Sequence, residues 1–323
     1  MQRVLVTYQL PREGLAPLSG YTVDYPDHQV MGYDEITACL GQYDAVLAAG
    51  GKWDAPLLQA GAAGRLRMLA NYGAGYDSVD TVEAARLGII VTNIPDSVTE
   101  STAELAFGGL LALARGIARC DAGLRQGTLR WGMMNNLGYN LYGKTLGIIG
   151  MGRIGRAMAR RARASGMSIL YTNRSRLPAE LEEGASYVPL HTLLTQSHCV
   201  SLHCPLTPET TGLLDAAAFA AMRPGALLVN TARGAVCDEN ALLAALRGHL
   251  GGAYLDVFAG EPAVSPAFFA LDNVLLTPHI GTDAHEVRLE MTIAASQRIA
   301  DFLQGKLPEN IVNPDVLDVL GRR

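Results

Sequence analysis

The chain of 323 residues has no C-x-x-C pair. Its five cysteines (Cys39, Cys120, Cys199, Cys204 and Cys237) are odd in number and scattered, which suits reduced thiols in a cytoplasmic protein better than a disulfide framework. A membrane-length apolar run is also missing. The most apolar helical stretch, AELAFGGLLALA, is roughly half as long as a span requires. The N-terminus, MQRVLVTYQLPREG, turns polar too early for a signal peptide. No large basic excess exists: 26 Lys and Arg face 31 Asp and Glu, so a nucleic-acid scaffold is disfavoured. Solenoid repeats and low-complexity tracts are absent as well.

What is present is an alternation of short apolar runs with helix-length segments. The length favours two domains. RVLVTY, DAVLAA, RMLANY and GIIVTN read as four buried strands of a parallel sheet in the first ninety-odd residues. Pro95 interrupts this rhythm. A long helix then begins near DSVTESTAELAFGGLLALARGIARC, with Ser97 and Thr99 as possible caps. Gln126 to Gly143, rich in Gly and Asn, reads as a loop or arm. A second series follows: TLGIIG, SILYTN, CVSLHC, ALLVNT, GAYLDV and VLLTPH. Six strands with crossover helices describe a doubly wound dinucleotide-binding domain. A last helix, about Ala284 to Gln304, comes too late for that sheet and is expected to return to the first domain. The expected fold class is therefore α/β with two doubly wound domains. One is Rossmann-type, spanning 98–283; the other is a smaller, discontinuous, flavodoxin-like substrate domain of 1–97 and 284–323.

Gly150-Met151-Gly152-Arg153-Ile154-Gly155 is a G-x-G-x-x-G turn between an apolar strand and a helix, the context that gives the pattern weight. Gly150 permits the tight turn, Gly152 lets a pyrophosphate approach the backbone, and Gly155 lets the helix pack closely. The amides of Arg153 and Ile154 would face phosphates at the positive end of the helix dipole. An NAD site usually carries an acid about 20 residues onward. Here the strand tip reads Asn173-Arg174-Ser175-Arg176. A carboxylate would repel a 2′-phosphate, whereas a guanidinium binds one through charge-assisted hydrogen bonds, with Asn173 and Ser175 as neutral donors. The site reads as one for NADP(H) by preference, with NAD(H) still possible; the alternative makes Arg174 and Arg176 a solvated turn.

Three further segments, VNTARGAV, LDVFAGEP and LLTPHIGT, each begin at a strand's C-terminal end, where ligands bind in open α/β sheets. They carry Arg233, Glu261 and His279. Reduction of a 2-keto acid needs a fixed cation for the carboxylate and keto oxygen, a proton for the forming alkoxide, and a carboxylate that favours imidazolium. Arg233, His279 and Glu261 fit those roles in that order. Asp256 reads either as a partner of the nicotinamide carboxamide or as a strand-end turn residue. The turn NYGAGYDSVD, with Gly73 and Gly75, reads either as a carboxylate cradle or as a plain loop. No metal site is expected: in HCVSLHC, strand alternation sends His198 and Cys204 to one face and Cys199 and His203 to the other.

Taken in order, NYGAGYDSVD, LGIIGMGRIG, HCPLTPETTGLL, VNTARGAVCDENALLAAL, LDVFAGEP and LLTPHIG resemble the D-isomer-specific 2-hydroxyacid dehydrogenase family over nearly the whole chain. The resemblance implies hydride transfer between nicotinamide and a 2-keto acid, a homodimer, and Arg233, Glu261 and His279 as the catalytic trio. It also implies that Arg153, Ile154, Cys204, Thr231, Arg233 and Asp256 line the cofactor, and that Ala74 and Gly75 hold the substrate carboxylate through their amides. Trp131 falls in an arm that reaches the partner's pocket in some relatives. Asn173-Arg174 departs from the commoner aspartate, so the chain looks like the NADPH-using glyoxylate and hydroxypyruvate reductases. The expected activity is reduction of such small 2-keto acids to D-2-hydroxy acids. A 2-ketogluconate or aryl-pyruvate reductase is the alternative within the family, and a nucleotide-sensing, co-repressor-like binding protein the alternative outside it. Partners from nucleic acid or membrane are not expected.

Overall fold

The computed structural model describes residues 1–321 and divides into two compact units, one of Met1–Val98 with the segment from Thr282 onward, the other of Thr99–Gly281. In the first unit, strands β1 (Arg3–Val6), β2 (Thr22–Asp24), β3 (Ala45–Ala48), β4 (Met68–Asn71) and β5 (Ile90–Thr92) form a parallel sheet in the order β2-β1-β3-β4-β5. This is the flavodoxin-like winding. β3 and β4 are buried along their whole length, as apolar runs covered on both faces must be. β2 is an additional strand with no continuous apolar run. The late helix, His285–Leu303, places Met291, Ala295 and Ile299 in this unit's core.

The second unit holds seven parallel strands: β6 (Thr145–Ile149), β7 (Ser168–Thr172), β8 (Ser186–Tyr187), β9 (Cys199–Leu202), β10 (Leu227–Asn230), β11 (Gly252–Leu255) and β12 (Val274–Leu276). Their order, β12-β11-β10-β9-β6-β7-β8, is the Rossmann winding with one strand beyond the six expected. Side-chain alternation splits the core in two. Leu228 joins Leu202, Phe219 and Phe268 on one face, while its neighbour Val229 joins Leu110, Ile148 and Tyr254 on the other.

Register sets up the functional edge. Ile149 pairs with Leu202, Leu202 with Asn230, Asn230 with Leu255, and Leu255 with Leu276. Five strand ends are thus level, and their loops leave the sheet together. The expected single helix after Pro95 is two, Thr99–Arg115 and Ile117–Arg125, because Gly116 takes a left-handed φ of 61°. Among the described residues no helix is long and apolar enough to cross a membrane.

Candidate active site

The glycine turn opens the helix Arg153–Ala164. Gly150 has a φ of 97°, and a Cβ there would meet the backbone of His203 and Cys204. Gly155 packs against the Gly150 carbonyl so closely that no side chain fits. Nothing lies within 4 Å of the position a Cβ would take on Gly152. The turn is therefore closed toward the protein and open outward, where the first-turn N–H groups of a helix point. Asn173 at the tip of β7 braces it: its Oδ1 accepts the Met151 N–H at 2.6 Å.

Beyond Asn173, Arg174 and Ser175 are exposed. Arg176 is not available to a phosphate in the same way. It pairs with Glu182 at 2.8 and 3.1 Å, and Glu182 also accepts the Tyr171 hydroxyl at 2.7 Å. The Arg176 and Tyr171 hydrogen bonds hold the Glu182 carboxyl down at about 2. Of the two arginines considered for the 2′-phosphate, Arg174 is the candidate and Arg176 braces the turn. Arg174 shares its surroundings with Glu209, whose carboxyl is lowered first by a hydrogen bond from Thr207 and, more weakly, by the Arg174 charge.

The remaining expected cofactor contacts lie on the same sheet edge. Cys204 is buried and its thiol is pushed up to about 11, mainly by desolvation, so it is a neutral wall rather than a nucleophile. Thr231 is 8% exposed, and its Oγ1 is buried without a hydrogen-bond partner. An orphaned buried hydroxyl is costly, and where β10 ends, on the same sheet edge as the glycine turn, it suits a polar group of a bound dinucleotide. Asp256 is 1% exposed. Its Oδ1 accepts from Thr277 Oγ1 and the Ile280 N–H, and its Oδ2 from the Gly281 N–H. Three of a carboxylate's four or so acceptor positions are thus taken within the protein. Burial pushes the Asp256 carboxyl up, against these bonds and the His279 charge.

Arg233, Glu261 and His279 follow β10, β11 and β12 respectively. Arg233 is set by Asn230, which accepts the Ala232 N–H and donates to the Arg233 carbonyl at 3.0 and 2.9 Å. The next residue must be glycine, since a Cβ on Gly234 would overlap the backbone of Phe258 and Ala259. Glu261 bridges: Oε1 accepts the Phe258 N–H at 2.7 Å and Oε2 lies 2.8 Å from His279 Nδ1. Burial raises its carboxyl, but the His279 and Phe258 hydrogen bonds, with the charges of His279 and Arg233, outweigh that and leave it below its ordinary value. The structure thus brings Glu261 and His279 into contact, with the Arg233 charge acting on the same carboxylate. His279 itself sits at a left-handed φ of 56°, uncommon for a residue with a side chain.

In the other unit, the turn after β4 is held from below. Asn71 Nδ2 donates to the carbonyls of Gly73 and Gly75, and Asn93 Nδ2 to that of Ala74. Across a trans peptide the next N–H points opposite to the carbonyl, so the amides of Ala74 and Gly75 are turned outward. The supporting Asn71, Asn93, Asn230 and Thr277 were not among the expected site residues; only their positions at strand ends pointed to them. Trp131 is 82% exposed in an irregular segment. His198 accepts the Thr145 N–H, and His203 pairs with Ser201. Among the described residues no three His, Cys, Asp or Glu side chains gather as a metal site.

Residues 107–281 match the model of the D-isomer specific 2-hydroxyacid dehydrogenase NAD binding domain. A glyoxylate reductase of Thermococcus litoralis is 42% identical over 324 residues, covering 98% of each chain. One from Pyrococcus furiosus is 46% identical over 264 residues, 80% of this chain and 79% of that one. Among solved structures, an NADPH-dependent glyoxylate/hydroxypyruvate reductase of Sinorhizobium meliloti, in complex with NADP and malonate, superposes with a TM-score of 0.87. It is 32% identical and covers 96% of both chains.

Proposed function

Because this chain belongs to the D-isomer specific 2-hydroxyacid dehydrogenase family and is an oxidoreductase with a nicotinamide dinucleotide-binding domain, we propose that it reduces glyoxylate and hydroxypyruvate to D-2-hydroxy acids, with NADPH preferred over NADH. The carrying observation is the Glu261–His279 contact at 2.8 Å, with Arg233 following the adjacent strand β10. A nicotinamide bound at this edge would supply the hydride for the keto carbon. Arg233 offers a planar fork to the substrate carboxylate and the keto oxygen, stabilising charge as it builds there. His279 gives its Nε2 proton to the forming alkoxide while Nδ1–H stays on Glu261, which fixes the ring and favours the imidazolium before transfer. Glu261 is itself fixed by the Phe258 N–H. In the smaller unit, the outward amides of Ala74 and Gly75 are the groups suited to a substrate carboxylate.

The preference for NADPH rests on Arg174, with Ser175 and the Asn173 amide beside it and no carboxylate at the strand tip. Thr231, Cys204, Asp256 and the turn from Gly150 to Gly155 complete the cofactor's surroundings. A homodimer is supported by the apolar side chains exposed along the arm: Trp131, Met133, Met134, Leu137 and Tyr142 are each at least 65% exposed, more than a monomer usually leaves together. A cavity of about 250 Å³ beside that arm, lined by Leu113, Tyr139, Gly251 and Val274, lies at the N-terminal edge of the sheet and is not the catalytic centre.

A larger substrate, such as 2-ketogluconate or an aryl pyruvate, is the second reading. Gly50 and Gly51 favour it: they follow β3, whose Ala48 is level with Asn71 at the end of β4, and no side chain there narrows the edge that carries Ala74 and Gly75. The test is initial rates with glyoxylate, hydroxypyruvate, 2-ketogluconate and phenylpyruvate, each with NADPH and NADH. Fast turnover of the first two with NADPH is expected. A strong preference for either of the last two would replace the substrate assignment, and cofactor binding with no turnover would favour a nucleotide sensor.

A further inference from the structure

Thr277 stands between β12 and His279. Its Oγ1 lies 2.5 Å from Asp256 Oδ1 and 2.9 Å from the Tyr254 hydroxyl. Asp256 already accepts the Ile280 and Gly281 N–H groups, an acceptor set that suits a carboxylate. A carboxylate cannot donate, so Thr277 donates to Asp256, and Tyr254 must then donate to Thr277. The protons of this chain run in one direction, from Tyr254 to Thr277 to Asp256.

Both ends of the chain are fixed. Tyr254 is 1% exposed in β11, and its ring fills the space above Gly109, where a Cβ would overlap it. At the other end Asp256 holds the loop on both sides of His279: its carboxylate binds residues 277, 280 and 281, and its main-chain carbonyl accepts the His279 N–H at 2.8 Å. His279 occupies a left-handed backbone conformation that persists only when its surroundings over-determine it. We propose that Tyr254 and Thr277 are positioning residues for His279, and that their hydroxyl chain, acting through Asp256, sets the direction in which the imidazole points. The proposal rests on His279 being the proton donor.

The test uses the full-length enzyme and four variants: Thr277→Val, nearly isosteric; Thr277→Ser, which keeps the hydroxyl; Tyr254→Phe, which keeps the ring over Gly109; and His279→Gln. With glyoxylate and NADPH, Thr277→Val should lower kcat about tenfold and Tyr254→Phe about threefold, the scale of one neutral hydrogen bond expressed in the barrier. KM for glyoxylate and the Kd of NADPH should stay within about twofold, and Thr277→Ser should restore kcat. The alkaline limb of kcat/KM should move in Thr277→Val, a change that loss of packing alone does not produce. If His279→Gln is inactive while Thr277→Val and Tyr254→Phe keep the wild-type kcat and pH profile and lose only thermal stability, the positioning role is refuted. If His279→Gln retains turnover, the proton-donor assignment has failed instead, and the proposal with it. Should Thr277→Val not fold, Tyr254→Phe against wild type decides alone.

Discussion

Glu261→Gln isolates the charge behind the proposed acid. The substitution keeps an oxygen for the Phe258 N–H, now 2.7 Å from Oε1, but replaces Oε2, 2.8 Å from His279 Nδ1, with an NH2 group. An imidazolium would then meet a donor with a donor, so the protonated ring is destabilised relative to the neutral one. A hydrogen bond to a charged group contributes about 1.5–3 kcal/mol. The side chains of His279 and Glu261 are 49% and 34% exposed, so solvent screening favours the low end. At about 1.4 kcal/mol per factor of ten in rate, kcat/KM should fall about tenfold. Glu261 lies below its ordinary value, so its carboxylate stays charged through neutral pH, and its stabilising effect is lost only as pH falls through that lowered value. The assay is kcat/KM for glyoxylate at saturating NADPH across about pH 5–9, in wild type and variant. The loss should be larger at the alkaline end of that range than at the acid end. Superimposable alkaline limbs would refute the idea that Glu261 holds the proton on His279.

Arg174→Asp should raise KM for NADPH by about tenfold or more, the loss of a charge-assisted bond plus a new repulsion, while NADH changes by no more than about twofold; equal effects on both cofactors would make Arg174 an ordinary surface charge. Burial lowers His203 from 6.5 to about 4, so the unfolded chain takes up a proton that the folded one refuses, and stability should fall as pH drops from about 6.5 to about 4, by at most about 3 kcal/mol. Urea unfolding of wild type and His203→Gln at the two ends of that window checks this, and equal acid sensitivity would refute it. Gly109→Ala should destabilise the fold by about 1–3 kcal/mol through overlap with the Tyr254 ring, and Tyr254→Leu in the same chain should recover part of the loss in the melting temperature.

The strands that carry function were legible because buried parallel strands read as unbroken apolar runs. LLVN and GAYL are buried at every position. β2 and β8 were not legible: TVD is half-buried and polar, and Ser186-Tyr187 is short and exposed. Both stand at a sheet edge, but neither carries the apolar run that makes the opposite edges, β5 and β12, readable. The single expected helix after Pro95 failed at Gly116, where the helical pattern of side chains continues but the backbone turns left-handed. Arg233, Glu261 and His279 could be placed at strand ends from spacing alone. Their supports could not: the Phe258 N–H is a main-chain group that every residue possesses, and the Asn230 and Thr277 side chains act on partners that only the folded loops bring within reach. The Arg176–Glu182 pair was hidden for a related reason: six residues around an irregular turn follow no periodicity.

The order of the larger sheet bears on how cofactor choice and chemistry relate. Asn173, Arg174 and Ser175 follow β7, while Arg233, Glu261 and His279 follow β10, β11 and β12. Between β7 and β10 stand β6 and β9, so the strand ends that carry the two groups are three spacings or more apart, about 14 Å at 4.8 Å each for β7 and β10. Side chains that far apart, with no partner in common, perturb a protein independently. In the proposed site they would still act on one molecule, since the glycine turn after β6 and Thr231 after β10 would hold the same dinucleotide at the C-terminal edge. On the proposed assignment, cofactor preference would change without moving the acid, and the acid could be disabled without changing which cofactor binds. In the double variant Arg174→Asp with Glu261→Gln, the loss of NADPH affinity and the shift of the alkaline limb should each keep the size seen in the single variants. A coupling larger than about 0.5 kcal/mol between them would mean that the β7 tip and the β12 loop communicate through something other than the bound cofactor's position.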